Sequence, residues 1–125
     1  MQQLIDLLKQ ACAILQPFTR DVSSGVLVYD GTRYAPAPSQ SPDPYALAWW
    51  SSFQTTIALL DGLDTLTASQ HAYLRGWLCG GMGSFNDFAL DPTRCGAGAS
   101  AANQQLTRVR SSLYAALNEL EPNVA

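Results

Sequence analysis

Residues that could bind a metal ion are scarce in this sequence. His71 is the only histidine, which excludes a histidine-rich metal site and a relay of two histidines. The three cysteines, Cys12, Cys79 and Cys95, do not have the spacing of metal ligands. We therefore expect no metal and no cofactor. We predict three free thiols, with Cys12 and Cys79 buried in helices, because a reducing compartment disfavours a Cys79–Cys95 bridge.

Charge is also sparse. Charged residues make up 14% of the 125 residues and hydrophobic residues 47%, a composition that fits one compact domain spanning residues 1–125. The net charge is −3, and before residue 65 six aspartates face one lysine and two arginines. An acidic first half argues against nucleic acid as a ligand and is compatible with a basic partner.

Long apolar runs are missing as well. No run approaches the length that spans a membrane, and residues 1–6 lack the basic region that opens a signal peptide. We expect a cytoplasmic protein without a membrane partner.

Helical periodicity dominates what is present. Leucines repeat at helical spacing over residues 3–16, and Asp43-Pro44 is a helix start that predicts a second helix to about Leu60. Thr67 opens a third helix with a capping box, and leucines mark a last helix that ends before Pro122. The sequence predicts a mainly α-helical single domain, similar to a four-helix bundle.

Residues 17–43 interrupt this periodicity and are rich in Ser, Gly, Pro and Thr. Within them, residues 26–29 and 32–34 flank Asp30-Gly31, a pair that suits the two-residue type I′ turn. We predict a small β-hairpin or an ordered loop after the first helix.

The least ordinary stretch is residues 80–87, with three glycines in four positions. We predict a tight connector in which Gly80 or Gly81 ends the third helix in a left-handed conformation and polar side chains bond the backbone. The third helix should bury Tyr73, Leu74, Trp77 and Leu78, and His71 should be a solvated residue of its first turn. The residues assigned to this structural motif are Gly80, Gly81, Met82, Gly83, Ser84, Phe85, Asn86 and Asp87.

The same residues carry a resemblance. Gly-Gly-Met-Gly-Ser-Phe-Asn-Asp, followed by apolar Phe88, Ala89 and Leu90, resembles the most recognisable segment of a bacterial family of short domains. The helix with Trp49 and the closing helix with Leu113-Tyr114 are similar too. Members of this family look like immunity proteins of interbacterial toxin systems. The resemblance implies a non-enzymatic protein, without catalytic residues, that binds a cognate toxin domain and blocks its active site.

Such a protein would present acidic and aromatic side chains to a basic cleft of the toxin. Trp49 and Trp50 lie about 100° apart on the second helix, so we expect one of them on a flank or an interface. We expect a monomer or a weak dimer in the absence of the partner. The residues predicted to bind the partner are Tyr29, Asp30, Arg33, Tyr34, Trp50, Asp61 and Asp64.

Two other classes of function fit the same residues. One is a small-molecule binding or enzymatic domain that uses residues 80–87 as a pocket wall; a cleft lined by Ser84, Asn86, Asp87 and His71 would favour it. A triad of Ser84, His71 and Asp87 can be written down, but no spacing specifies it. The other class is a homodimerising module, suggested by the aromatic residues and the few charges.

Overall fold

The computed structural model describes residues 1–19, 27–29, 31–32, 34–36, 43–96 and 98–120. Most of these residues are helical, as predicted. The helices are α1 (Gln2–Leu15), α2 (Pro44–Asp61), α3 (Ala68–Cys79), the short α4 (Pro92–Cys95) and α5 (Gly98–Glu119). Single 3₁₀ turns lie at Gln16–Phe18 and Phe85–Asp87, and two strands, β1 (Leu27–Tyr29) and β2 (Tyr34–Pro36), lie between α1 and α2.

The core forms around α1. This helix packs against both α2 and α5, and α5 packs against α3. The predicted stripe of α1 is buried along its whole length, with Leu4, Leu8 and Leu15 fully inaccessible to solvent. The backbones of α2 and α3 lie farther apart, and aromatic rings occupy part of the space between them. Among the described residues, no helix has both the length and the apolar character needed to cross a membrane.

The start of α2 follows the sequence prediction. Asp43 is the N-cap, and its carboxylate accepts hydrogen bonds from the N–H groups of Tyr45 at 2.9 Å and Ala46 at 3.4 Å. Pro44 occupies the first helical position, where no N–H is needed. Asp43 is itself buried, and its second oxygen lies 3.5 Å from the Sγ atom of Cys95. One carboxylate therefore joins the start of α2 to α4.

The capping box of α3 is also confirmed. The N–H of Gln70 donates to Thr67 Oγ1 at 3.1 Å, and the N–H of Thr67 donates to Gln70 Oε1 at 2.9 Å. The predicted buried face is wrong at Tyr73, which is 70% exposed, whereas Leu74 and Leu78 are buried. Tyr73 is exposed because it faces the open space between α2 and α3 rather than α5.

The hairpin is present with a different register. Tyr29 pairs with Tyr34, and Leu27 pairs with Pro36, in an antiparallel arrangement. A two-residue turn at Asp30-Gly31 would pair Tyr29 with Thr32 instead, so the predicted position of the turn is wrong. Gly31 has a left-handed φ of 98°, which glycine adopts without steric cost.

Candidate functional site

The segment 80–87 is held largely by bonds within itself. The buried Ser84 hydroxyl lies 2.9 Å from the carbonyl oxygen of Gly80 and 2.7 Å from that of Gly81, and it donates its proton to this pair. The N–H of Gly83 donates to Asp87 Oδ2 at 3.3 Å. These bonds fit the prediction of a connector in which polar side chains satisfy backbone groups.

The prediction of a left-handed helix end at Gly80 or Gly81 is wrong. Neither glycine has a positive φ; the left-handed residue is Gly83, with φ of 84°. Gly80 is required for a different reason. A Cβ atom at Gly80 would lie 2.2 Å from the carbonyl oxygen of Gly76, so a glycine is needed here because two backbone segments approach closely.

This difference between adjacent glycines gives a testable prediction. Gly80→Ala is expected to lower the free energy of unfolding by about 2–3 kcal/mol, because the added methyl group meets backbone that must shift. Gly81→Ala is the matched control: its Cβ meets nothing within 4 Å, so we expect a change within about 0.5 kcal/mol. Urea denaturation of the two variants measures both values. Equal stability of the two variants would show that the close approach to Gly76 does not require a glycine at position 80.

An aromatic cluster connects the segment to α2 and α3. Phe85 is fully buried, with its ring centroid 4.8 Å from that of Phe53 and 5.3 Å from that of Trp49. Trp77 lies 5.5 Å from Trp49 and 5.4 Å from Phe53, measured between ring centroids. The aromatic cluster consists of Trp49, Phe53, Trp77, Phe85 and Phe88. Phe85 thus fixes the segment in the core.

Arg110 of α5 packs on the ring of Phe85 in this cluster. Its Nε donates to the carbonyl oxygen of Phe85 at 3.0 Å, and its Nη2 donates to the carbonyl oxygen of Phe88. The guanidinium carbon lies 4.7 Å from the centroid of the Phe85 ring. Burial lowers the pKa of Arg110. This role was not predicted from the sequence, because Arg110 lies outside the leucine period of the last helix.

His71 is not a solvated residue, which corrects the sequence prediction. It is half-buried, and its Nε2 lies 2.6 Å from the carbonyl oxygen of Leu117 in the last turn of α5. Because a carbonyl only accepts, the ring nitrogen is the donor, and it satisfies an end of the helix that lacks partners of its own. Ser84, Asp87 and His71 therefore each bond a different part of the backbone. These bonds weigh against the triad.

The cysteines are free thiols, as predicted. Cys12 is buried, as predicted, but Cys79, at the end of α3, is only half-buried; Cys95 is buried as well. Burial raises the pKa of Cys12 to about 11; burial and the neighbouring carboxylate of Asp43 raise the pKa of Cys95 to about 11. Both thiols are protonated at neutral pH and hence weak nucleophiles. In the described ranges, histidine, cysteine and carboxylate side chains form no group of three that could hold a metal ion.

An open cleft lies between α2 and α3. It has a volume of about 450 Å³ and adjoins a second depression of about 410 Å³, which shares Thr56, Leu59 and Tyr73 with it. Leu59 is 67% exposed and Tyr73 is 70% exposed, so both side chains are accessible. We call the two depressions together the α2–α3 cleft; its apolar lining includes Leu59, Leu60, Leu63, Leu66, Tyr73 and Leu74.

The chain that forms this cleft carries very little charge. Residues 51–77, which include every lining residue, contain three charged side chains, Arg75, Asp61 and Asp64. Arg75 does not line the cleft, and its guanidinium contacts a tyrosine ring of α5. The two aspartates are exposed. They lie in or beside the connection from α2 to α3, next in sequence to the lining residues Leu60 and Leu63. The cleft is therefore neutral along its length and acidic at one end. Two of the residues predicted to bind a partner are found there.

Trp50, another residue predicted to bind the partner, does not lie at this cleft. Trp50 is nine positions before Leu59, which places it about 180° around α2 from that side chain. It is half-buried against the core, and its carbonyl oxygen lies 3.9 Å from the thiol of Cys12 on α1. Tyr29 and Tyr34 pair in the hairpin, while Asp30 and Arg33 lie outside the described residues. Trp49, also half-buried, belongs to the aromatic cluster.

Comparisons with models of protein families, with characterised proteins and with solved structures find no match to this chain. No functional residue can be carried over from a relative. The α2–α3 cleft and the segment 80–87 are therefore judged as candidate sites by their own geometry.

Proposed function

We propose that this protein is a non-enzymatic, cytoplasmic immunity protein that binds a cognate bacterial toxin domain through the α2–α3 cleft and blocks the toxin's active site. The observation that carries the binding role is the open apolar cleft beside Asp61 and Asp64. The resemblance of residues 80–87 to a motif of immunity proteins supports a toxin as the partner.

The cleft has the side chains that protein interfaces use. Exposed Leu59 and Tyr73 would lose water-accessible surface on binding, and large apolar and aromatic anchors in a pocket carry most of the energy of an interface. Asp61 and Asp64 would mainly raise the rate of encounter with a basic surface, because exposed charges contribute little affinity but steer diffusion. A basic substrate-binding cleft on the toxin fits both features.

In this proposal the segment 80–87 has an architectural role. Its hydroxyl, carboxylate and aromatic groups contact the segment's own backbone, the aromatic cluster or Arg110. The side chains of Met82 and Asn86 are the exceptions, since Met82 is 97% exposed and Asn86 is also exposed. The alternative of a small-molecule or enzymatic pocket at this segment is weakened because Ser84 and Asp87 already bond backbone groups.

A small molecule in the α2–α3 cleft is the second candidate function. The volume of about 450 Å³ lies within the range of ligand pockets. Small-molecule sites enclose most of the ligand, however, whereas Leu59 and Tyr73 are mostly exposed. This openness favours a macromolecular partner.

The experiment that tests the proposal is co-purification with the product of the adjacent upstream reading frame, together with growth assays of cells that express that product. We expect a stable complex and rescue of growth by this protein. Leu59→Glu should lower the affinity at least about 30-fold, because it places a charge in the apolar cleft.

Leu47→Glu is the matched control. Leu47 is also an exposed leucine of α2, but it lies about 120° around the helix from Leu59 and does not line the cleft. We expect it to retain binding and rescue. Equal loss in both variants, or full rescue by Leu59→Glu, would contradict the proposed binding surface. A free protein whose mass rises with concentration in the native chain but not in Leu59→Glu would instead favour the homodimerising module.

A further inference from the structure

We infer that the segment of the partner seated in the α2–α3 cleft is an amphipathic helix of about three turns, running antiparallel to α2, with basic residues in its first turn beside Asp61 and Asp64. This inference rests on the proposed function and specifies the chemistry of the partner at that site. The length of the cleft predicts the length of the partner helix, the chemistry of the cleft walls favours a helix, and the charge at one end predicts its direction.

The length follows from the lining residues of α2. They extend from Ser51 to Leu60, and ten residues of helix rise about 15 Å. A partner helix of about ten residues matches this length. It would place two or three apolar side chains along one face, at the spacing by which helices bind grooves.

The chemistry of the walls favours a helix over an extended strand. The hydroxyl groups of Thr55 and Thr56 donate to the carbonyl oxygens of Ser51 and Ser52, at 3.2 Å and 2.8 Å, so they are already used within α2. The remaining lining is mostly leucine and aromatic. An extended segment would bring unpaired backbone N–H and C=O groups to this apolar wall, whereas a helix satisfies them internally.

The charge gives the direction. Of the three charged side chains of residues 51–77, Arg75 contacts the Tyr114 ring of α5 and does not line the cleft. The other two, Asp61 and Asp64, lie at the α2–α3 connection. The C-terminus of α2 and the N-terminus of α3 meet at this end, so their opposite partial charges largely offset one another. The two carboxylates therefore make the electrostatic potential at this end of the cleft negative. They favour the positive N-terminal end of a partner helix and basic side chains in its first turn.

Two stapled amphipathic peptides of about 14 residues test the direction. The staple is needed because isolated helices of this length are marginal in water. Both peptides have the same composition, acetylated N-termini and amidated C-termini; one has an arginine pair in its first turn and the other has it in its last turn. Fluorescence anisotropy measures the Kd of each peptide for the full chain.

We expect the peptide with N-terminal arginines to bind about fivefold more tightly. The preference should vanish in the Asp61→Asn/Asp64→Asn variant and persist in Asp6→Asn/Glu119→Gln, which removes two exposed carboxylates from outside residues 44–74. Leu59→Glu should abolish the binding of both peptides.

Equal affinities, the reverse preference, or a preference that survives Asp61→Asn/Asp64→Asn would overturn the inferred direction. If neither peptide binds while Leu59→Glu still abolishes neutralisation of the toxin, the helical partner is wrong and the proposed function stands. If neutralisation is insensitive to Leu59→Glu, the proposed binding surface itself fails. The two failures are therefore distinguishable.

Discussion

Phe85→Ala is expected to lower the free energy of unfolding by about 3–5 kcal/mol. The Phe85 side chain is fully buried, and its ring contacts three other rings of the aromatic cluster and the guanidinium of Arg110. Alanine removes these contacts and leaves a cavity at the junction of α2, α3 and α5. Because the surrounding rings are large and rigid, we expect little collapse around that cavity.

Urea denaturation with fluorescence detection measures this change, since Trp49 and Trp77 are part of the same cluster. Met82→Ala is the control within the segment: Met82 is 97% exposed, and we expect a change within about 0.5 kcal/mol. A loss below about 1 kcal/mol in Phe85→Ala would mean that the segment does not hold the core together, and the interpretation of it as architecture would be wrong.

Arg110→Met is expected to cost about 2–4 kcal/mol. Methionine retains an apolar stem of similar length, but it cannot donate to the carbonyl oxygens of Phe85 and Phe88. Those acceptors then lose their charged donor, and the face of the Phe85 ring loses its cation. Arg110→Lys should recover only part of the loss, because one ammonium group does not reproduce the planar fork of a guanidinium.

Arg108→Met is the matched control for this variant. Arg108 lies two residues earlier on α5 and is exposed, so we expect its replacement to change stability by about 0.5 kcal/mol or less. A double-mutant cycle of Phe85→Ala and Arg110→Met should give a coupling energy of about 1–2 kcal/mol, because the two side chains are in contact. Strict additivity would show that Arg110 stabilises the fold independently of the ring.

Local chemistry made much of the fold predictable. A cap depends on residues within four positions of one another, and both Asp43 and the Thr67–Gln70 box are found as predicted. The stripe of α1 was predictable for a similar reason, since its seven buried residues follow one helical period. Each of these features is encoded within a single element and does not depend on its neighbours.

The wrong predictions concern residues whose surroundings depend on how the chain packs in three dimensions. Periodicity placed Tyr73 in the core, but the separation of α2 and α3 leaves it exposed beside the cleft. His71 was predicted to be solvated, but the end of α5 comes within 2.6 Å of its ring. Gly80 has no room for a side chain because its backbone approaches that of Gly76. In the sequence, a glycine required by such a close approach looks the same as a glycine required by a left-handed φ.

The sequence by itself determined the helical class, the caps, the low charge and the position of the two aspartates between α2 and α3. Only the tertiary structure decided that Arg110 covers Phe85, that α2 and α3 separate around the aromatic cluster, and that the space beside them is an open cleft. The reason is the range of the interactions along the chain. Caps and periodicity depend on interactions over a few residues, whereas a cleft and a buried cation depend on how separate elements pack. Arg110 and Phe85, for example, are 25 residues apart in the sequence. No local pattern specifies those contacts.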